Sequence, residues 1–246
     1  MILTIEQLPI ADFNILPNVT SCVGVPISFE DISTTSITIW IWDFGDGNLS
    51  NVQNPTHLFN SPGDYIVTLI VNNSNGCIDT VDHTVTINPL PIVNYSFLPS
   101  DSICVNELIS FTDNSTSNIQ SWVWDFDDGN SSNIQNPNHS YLLSGDYNVQ
   151  LTVMDNNTCV DSITSIIKVN QLPEPDFNIL PFDTVCANSQ ISLIGYDIAG
   201  TQITDWQWDF GDGNLGTGQS LSHSYSNPGD YTITLSVLNN NSCTEI

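Results

Sequence analysis

Three closely similar tryptophan segments, WIWDFGDGN from Trp40, WVWDFDDGN from Trp122 and WQWDFGDGN from Trp206, recur at intervals of 82 and 84 residues. Self-similarity at a fixed period restricts the fold to an array of like units before any element is assigned. The period is too long for a helical solenoid unit and suits a small all-β domain, so the sequence predicts three domains in tandem. Boundaries fall at a recurring prolyl linker, EQLP ending at Pro9, NPLP at Pro91 and NQLP at Pro173. The expected division is residues 1–8, the last strand and linker of a preceding or neighbouring repeat, then 9–90, 91–172 and an incomplete third unit, 173–246. Linkers this short that carry proline are stiff.

Within each unit the apolar residues alternate, most clearly in YIVTLIV from Tyr65, YNVQLTV from Tyr147 and YTITLSV from Tyr231. Tyr65, Val67, Leu69 and Val71 share one face of a strand, and that face stays apolar in all three copies while the other drifts to Asn148, Gln150 and Thr152. The apolar face is therefore expected to form the core. The same reasoning turns Trp40, Trp42 and Phe44 inward. Trp42, Trp124 and Trp208, with Tyr65, Tyr147 and Tyr231, are the expected core motif. Turn signals punctuate about seven short strands per unit, and no segment has a helical period.

One Lys and no Arg against 27 acidic residues give a net charge of -26. Such a surface has only a single Lys with which to neutralise phosphates, which excludes nucleic acid as a partner. A hydrophobic fraction of 40% nonetheless supplies cores, so the charge marks an acidic skin rather than disorder. No stretch is long and apolar enough to insert in a membrane.

The six cysteines follow the repeat as Cys22/Cys77, Cys104/Cys159 and Cys186/Cys243, with separations of 55, 55 and 57 residues. One pair per unit makes a disulfide within each unit the simplest expectation. Each would restrict the unfolded chain by about 4 kcal/mol and places the protein in an oxidising, extracellular or cell-surface setting.

The run WDFGDG, an NPxHxY-like segment and GDYxVxLxV, followed by a Cys near the last strand, resembles the polycystic kidney disease (PKD) domain. The resemblance covers all three units and implies immunoglobulin-like β-sandwiches of an extracellular protein. Asp127 departs from it by replacing the first glycine of the turn in the second copy. Cysteine pairing, acidity and tandem multiplicity are together similar to surface adhesins and filament-like proteins of Bacteroidetes, gliding-motility adhesins among them.

Catalytic chemistry has little purchase here. His57, His139 and His223 hold one repeat position, and a histidine repeated in every unit is expected to make a structural hydrogen bond rather than to act as a base. His83, which has no counterpart, is expected on a strand surface. The turn carboxylates Asp43, Asp46, Asp125, Asp128, Asp209 and Asp212 are weak candidates for calcium. Their spacing is not that of an EF-hand loop, and turn capping accounts for them. No cofactor is expected beyond weak calcium screening. Tripeptides of the form D(S/T)-aliphatic mark Thr80, Ser102, Ser162 and Thr184 as candidate glycosylation sites, and NxS/T sequons occur at Asn18, Asn48 and Asn114.

Residues 2–8, ILTIEQL, align with the closing strand and linker of a unit, TVTINPL, and the third unit has no such strand after Cys243. Two explanations follow: a slice of a longer repeat protein, or head-to-tail joining in which Ile2, Leu3, Thr4 and Ile5 of one molecule complete the open edge of the next. The function expected is a stiff, acidic, disulfide-stapled, non-enzymatic spacer in a secreted or cell-surface bacterial fibre or adhesin. Its partners would be copies of itself or further repeats, with surface ligands or glycans as additional ones. The alternative is a binding or spacer module of a secreted hydrolase acting on carbohydrate or protein.

Overall fold

A computed structural model describes residues 5, 7–34, 36–99, 103–116 and 118–246, and every long regular element among them is a strand. Repeat 1 contains β1 (Phe13–Leu16), β2 (Thr20–Cys22), β3 (Ile27–Asp31), β4 (Ile37–Asp43), β5 (Leu49–Ser50), β6 (Thr56–His57), β7 (Gly63–Asn73) and β8 (Ile78–Asn88). Repeat 2 contains β9 (Tyr95–Leu98), β10 (Ile103–Cys104), β11 (Ile109–Asp113), β12 (Ile119–Asp125), β13 (Ser131–Ser132), β14 (Asn138–His139), β15 (Gly145–Asp155) and β16 (Val160–Asn170). Repeat 3 contains β17 (Pro175–Leu180), β18 (Gln190–Asp197), β19 (Ile203–Asp209), β20 (Leu215–Thr217), β21 (Ser220–Ser224), β22 (Thr234–Asn239) and β23 (Thr244–Glu245). The chain resolves into two compact units, one of Met1–Asn94, Ser115–Trp122 and Thr152–Ile163, the other of Tyr95–Asn114, Val123–Leu151 and Thr164–Ile246.

Repeat 1 has a three-stranded sheet ordered β1-β3-β6 and a five-stranded sheet ordered β2-β8-β7-β4-β5. Repeat 2 reproduces this with β9-β11-β14 and β10-β16-β15-β12-β13. These are all-β, immunoglobulin-like sandwiches, with antiparallel pairing except where β2 lies parallel to the end of β8, Cys22 opposite Asn88, and β10 parallel to the end of β16, Cys104 opposite Asn170. Repeat 3 keeps β17-β18-β21 but reduces its larger sheet to β20-β19-β22-β23, so the parallel pair is missing.

The core sits where the period-2 pattern puts it. In repeat 1, Val67, Leu69 and Val71 of β7 are buried with Trp42, Phe44, Phe29 and Phe13, while Ile66 on the other face of β7 is 60% exposed. Phe13 meets the Trp42 ring edge-on at a centroid distance of 5.0 Å, and the Trp42 indole N–H donates to Val52 O at 2.9 Å, so the large apolar body is buried without an orphaned donor. Trp124 and Trp208 repeat that bond, to Ile134 O and Gly218 O. Trp40 is only partly buried, and its N–H reaches the Asp31 carboxylate at 2.7 Å.

Tyr65, Tyr147 and Tyr231 are not interior residues as expected. Each is half-buried: its ring packs on Phe59, Tyr141 or Tyr225, and its hydroxyl returns to the carbonyl of Ser61, Leu143 or Asn227. At the sandwich margin this position covers the ring while the hydroxyl stays bonded. Asp127 shows how repeat 2 manages without the turn glycine. In repeat 1 Gly45 sits at φ +76°, where an added Cβ would lie 2.6 Å from Ile66 O. In repeat 2 Asp127 takes φ 63° and its carboxylate accepts the Asn148 backbone N–H at 2.8 Å, turning the close approach into a hydrogen bond.

Candidate functional site

The disulfides correct the sequence expectation. Cys22 of repeat 1 is bonded to Cys159 of repeat 2, and Cys104 of repeat 2 to Cys243 of repeat 3, with Cα separations of 5.6 and 5.8 Å. Cys77 and Cys186 carry free thiols, so none of the three pairings within a unit occurs. The reason is the length of a strand. Cys22 lies beside Asn88 at the far end of β8, whereas Cys77 immediately precedes Ile78 at its start. A strand of 11 residues sets them roughly 35 Å apart, against the ~7 Å Cα limit for a disulfide. Each repeat thus carries its first cysteine at the pole leading to the next repeat and its second at the pole facing the previous one.

The second cysteine is built into its hairpin by an adjacent polar side chain that sequence reading missed. Asn73, Asp155 and Asn239 are buried, and each Oδ1 accepts the N–H of the cysteine four residues on, Cys77, Cys159 or Cys243, at 3.0, 2.9 and 3.0 Å. The amide of Asn73 also donates to Gln7 O at 3.4 Å, and that of Asn239 to Gln171 O at 3.1 Å, tying the incoming linker to the hairpin. On the other pole Asn88 Nδ2 donates to Ser21 O and Asn170 Nδ2 to Ile103 O, fixing the outgoing strand beside the first cysteine. The recurring Asx-x-x-x-Cys spacing is the signal from which these residues were readable.

The acidic turns are occupied by protein donors. Asp43 Oδ1 accepts the Gly45 N–H at 2.9 Å, and Asp46 accepts the Asn48 N–H at 3.0 Å, the Asn48 amide at 3.0 Å and His57 Nε2 at 2.8 Å. Asp125 and Asp128 with His139, and Asp209 and Asp212 with His223, repeat the arrangement. Each histidine ring stacks on the motif phenylalanine, as His57 does on Phe44 at a centroid distance of 4.0 Å, so the triplicated histidine is a structural hydrogen-bonding group as expected. Burial pushes the Asp46 carboxyl up, but its bonds from His57 and Asn48 outweigh that and hold it below the usual carboxylate range. Asp128 and Asp212 are displaced the same way for the same reason. His83 is half-exposed on β8 against Phe13, with Asp12 3.7 Å away. Among the described residues no group of three or more His, Cys, Asp or Glu is disposed to hold a metal ion.

Thr80, Ser162 and Thr184 are solvent-exposed, while Ser102 lies outside the described residues, as do Ile2, Leu3 and Thr4 of the expected donor strand. Ile5 is described and is 87% exposed.

The PKD domain family model matches residues 6–89, 88–171 and 172–245. The chain belongs to the PKD domain family. Curated relatives of this PKD chain include a microbial collagenase of Vibrio alginolyticus, 42% identical over 28% of the chain and 9% of the relative. Collagenase ColA of Clostridium perfringens is 30% identical over 46% of the chain and 10% of the relative. Those matches thus cover about a tenth of each enzyme's length. Among solved structures, the PKD1 domain of the Vibrio cholerae metalloprotease PrtV is 29% identical, with a TM-score of 0.30, and covers 33% of this chain and 99% of that domain.

Proposed function

We propose that this chain is a non-catalytic extracellular spacer of tandem PKD repeats, a module of a secreted hydrolase of the kind its collagenase relatives represent. The observation that carries the reading is the pair of disulfides joining successive repeats, Cys22–Cys159 and Cys104–Cys243. A covalent tie placed beside a peptide linker gives a junction two connections instead of one, which removes the free hinge that a single linker allows. Nothing about catalysis calls for such ties. Holding one part of a larger protein at a fixed distance from another does. The two disulfides support an extracellular setting, since such bonds persist in oxidising compartments.

The relatives favour a hydrolase module over the fibre or adhesin that tandem multiplicity suggests. The two readings share the spacer mechanism and differ in what the spacer serves. Contact with a fibrous protein or glycan substrate would need an apolar or aromatic surface; Phe182, 70% exposed on repeat 3, is the candidate. Small-angle scattering of the chain before and after reduction tests the spacer reading. The oxidised chain is expected to give a narrow distribution of dimensions that broadens when the disulfides open, and an unchanged distribution would overturn it.

A further inference from the structure

We propose that Asn75 is a self-modifying site. It loses ammonia to the main-chain nitrogen of Gly76 and, on taking up water, becomes an aspartyl or isoaspartyl residue that loosens the hairpin ahead of Cys77. The proposal goes beyond the spacer reading, because it concerns how the chain changes with time and not what it holds apart.

The three repeats supply a controlled comparison, since the hairpins before Cys77, Cys159 and Cys243 share one backbone. In each, the residue preceding the cysteine donates its N–H three residues back: Gly76 to Asn73 O, Thr158 to Asp155 O and Ser242 to Asn239 O, all at 3.1 Å. The buried Oδ1 of Asn73, Asp155 or Asn239, besides accepting the cysteine N–H, accepts that of Asn75, Asn157 or Asn241 at 3.0, 2.8 and 3.0 Å. Gly76, Thr158 and Ser242 all sit at positive φ, 81°, 65° and 63°. Asn75, Asn157 and Asn241 are all exposed. What differs is the residue that follows the asparagine, and Asn75-Gly76 is the one Asn-Gly pair in the sequence.

The left-handed backbone accounts for the glycine, which adopts positive φ without strain, while Thr158 holds it against its branched Cβ. The same missing side chain bares the Gly76 nitrogen. At Thr158 and Ser242 a Cβ crowds the approach to it, the branched one more. In the reaction the Gly76 nitrogen gives its proton to solvent base and attacks Asn75 Cγ. The Cγ–Nδ2 bond breaks and ammonia leaves, closing a succinimide ring. Water then opens either ring C–N bond, giving an aspartyl residue or an isoaspartyl one whose main chain runs through Cγ. One water enters and one ammonia leaves, and no oxidant, reductant or enzyme is required. The Gly76 N–H bond to Asn73 O must open first, a cost that the other two hairpins share.

The isoaspartyl product sets Cys77 one main-chain atom farther from Asn73 and adds a carboxylate to a chain already at -26. Asn73 Oδ1 then loses the Cys77 N–H that it holds at 3.0 Å, and the hairpin loosens where β8 begins at Ile78.

The test incubates the full 246-residue chain in mildly alkaline buffer made with heavy-oxygen water and follows each hairpin by peptide mapping and mass spectrometry. Asn75 is expected to convert, with one heavy oxygen taken up per event, about tenfold or more faster than Asn157 and Asn241, a barrier difference of about 1.4 kcal/mol or more. Gly76→Thr places the residue of repeat 2 where an added Cβ meets open space, so it should fold and should slow Asn75 to the rate of Asn157. Hydrogen exchange should show the Cys77 N–H losing protection in the isoaspartyl form. No conversion at Asn75, equal rates in the three hairpins, a Gly76→Thr chain that converts as fast as the wild type, or undiminished protection at Cys77 would each overturn the proposal. Scattering by freshly prepared chain tests the spacer reading on its own, so the two can fail separately.

Discussion

Repeats 1 and 3 share one motif and one topology as far as β22, and they differ in what closes the larger sheet. In repeat 1 the buried cluster extends from Phe13 through Trp42 to Val85 and Ile87, and β7 runs unbroken over 11 residues against β8. In repeat 3 the cluster stops at Ile191, Leu193, Trp208, Phe210, Leu235 and Val237. Ile233, at the place of the wholly buried Val67, and Tyr225, at the place of Phe59, are only partly covered. The difference teaches that residues 229–233 are strand-prone in sequence but need a neighbour before they become strand, since an edge without a partner leaves backbone groups and apolar side chains in water.

The sharpest way to break this comparison is to remove the same core residue from both repeats. Trp42→Ala and Trp208→Ala should each cost about 3–5 kcal/mol, comparable to the whole margin of a small domain. Repeat 3 starts from fewer buried contacts, so Trp208→Ala should leave it unfolded at 25 °C (a temperature at which Trp42→Ala still shows partial protection in repeat 1) by hydrogen exchange. Equal protection in the two variants would show that the open edge costs repeat 3 nothing.

Opening the staples comes next. Cys22→Ser and Cys104→Ser should each lower stability by about 2–4 kcal/mol, the usual range for a disulfide. The loss should be larger in repeat 3 for Cys104→Ser, because Cys243 anchors the short β23 hairpin that ends its sheet. Denaturant unfolding followed by residue-resolved exchange would measure both.

Acid should act on every repeat through the same turn, and further on repeats 1 and 3. There burial pushes the Asp31 and Asp197 carboxyls up but their hydrogen bonds outweigh it, and Asp79 and Asp176 are also held low by their hydrogen bonds. The carboxyls of Asp46, Asp128 and Asp212 sit below their ordinary value in the folded chain, so their contribution is complete above the unfolded value of about 3.9 and is lost as the pH falls through the folded one. Melting temperature should therefore hold steady down to about pH 4 and drop below it, and Asp46→Asn should lessen the drop for repeat 1 alone, the remainder belonging to Asp31 and Asp79. A decline already under way at pH 6 would point to other groups.

Calcium should have the smallest effect. The carboxylate oxygens of the turns already accept protein donors, so millimolar calcium is expected to act by screening and to shift stability by no more than about 0.5 kcal/mol per repeat. Titration calorimetry showing a saturable site, lost with Asp43→Asn, would make the turns ligands and would separate the repeats by affinity.

What the sequence determined by itself was everything local or periodic. The three units, the strands, the inward tryptophans and the structural histidines follow from a two-residue alternation and a repeat of 82 to 84 residues, both of which survive without knowledge of the third dimension. The half-buried tyrosines were less legible, because alternation gives the face of a strand and not its distance from the sandwich margin. The disulfide partners were decided only by the tertiary structure. One cysteine pair per repeat is equally consistent with pairing inside a unit and with pairing between each unit and the next, since a periodic sequence looks the same after a shift of one period. The 11-residue length of β8 separates the two, because it carries Cys22 and Cys77 to opposite poles of repeat 1 and brings Cys22 within 5.6 Å, Cα to Cα, of Cys159.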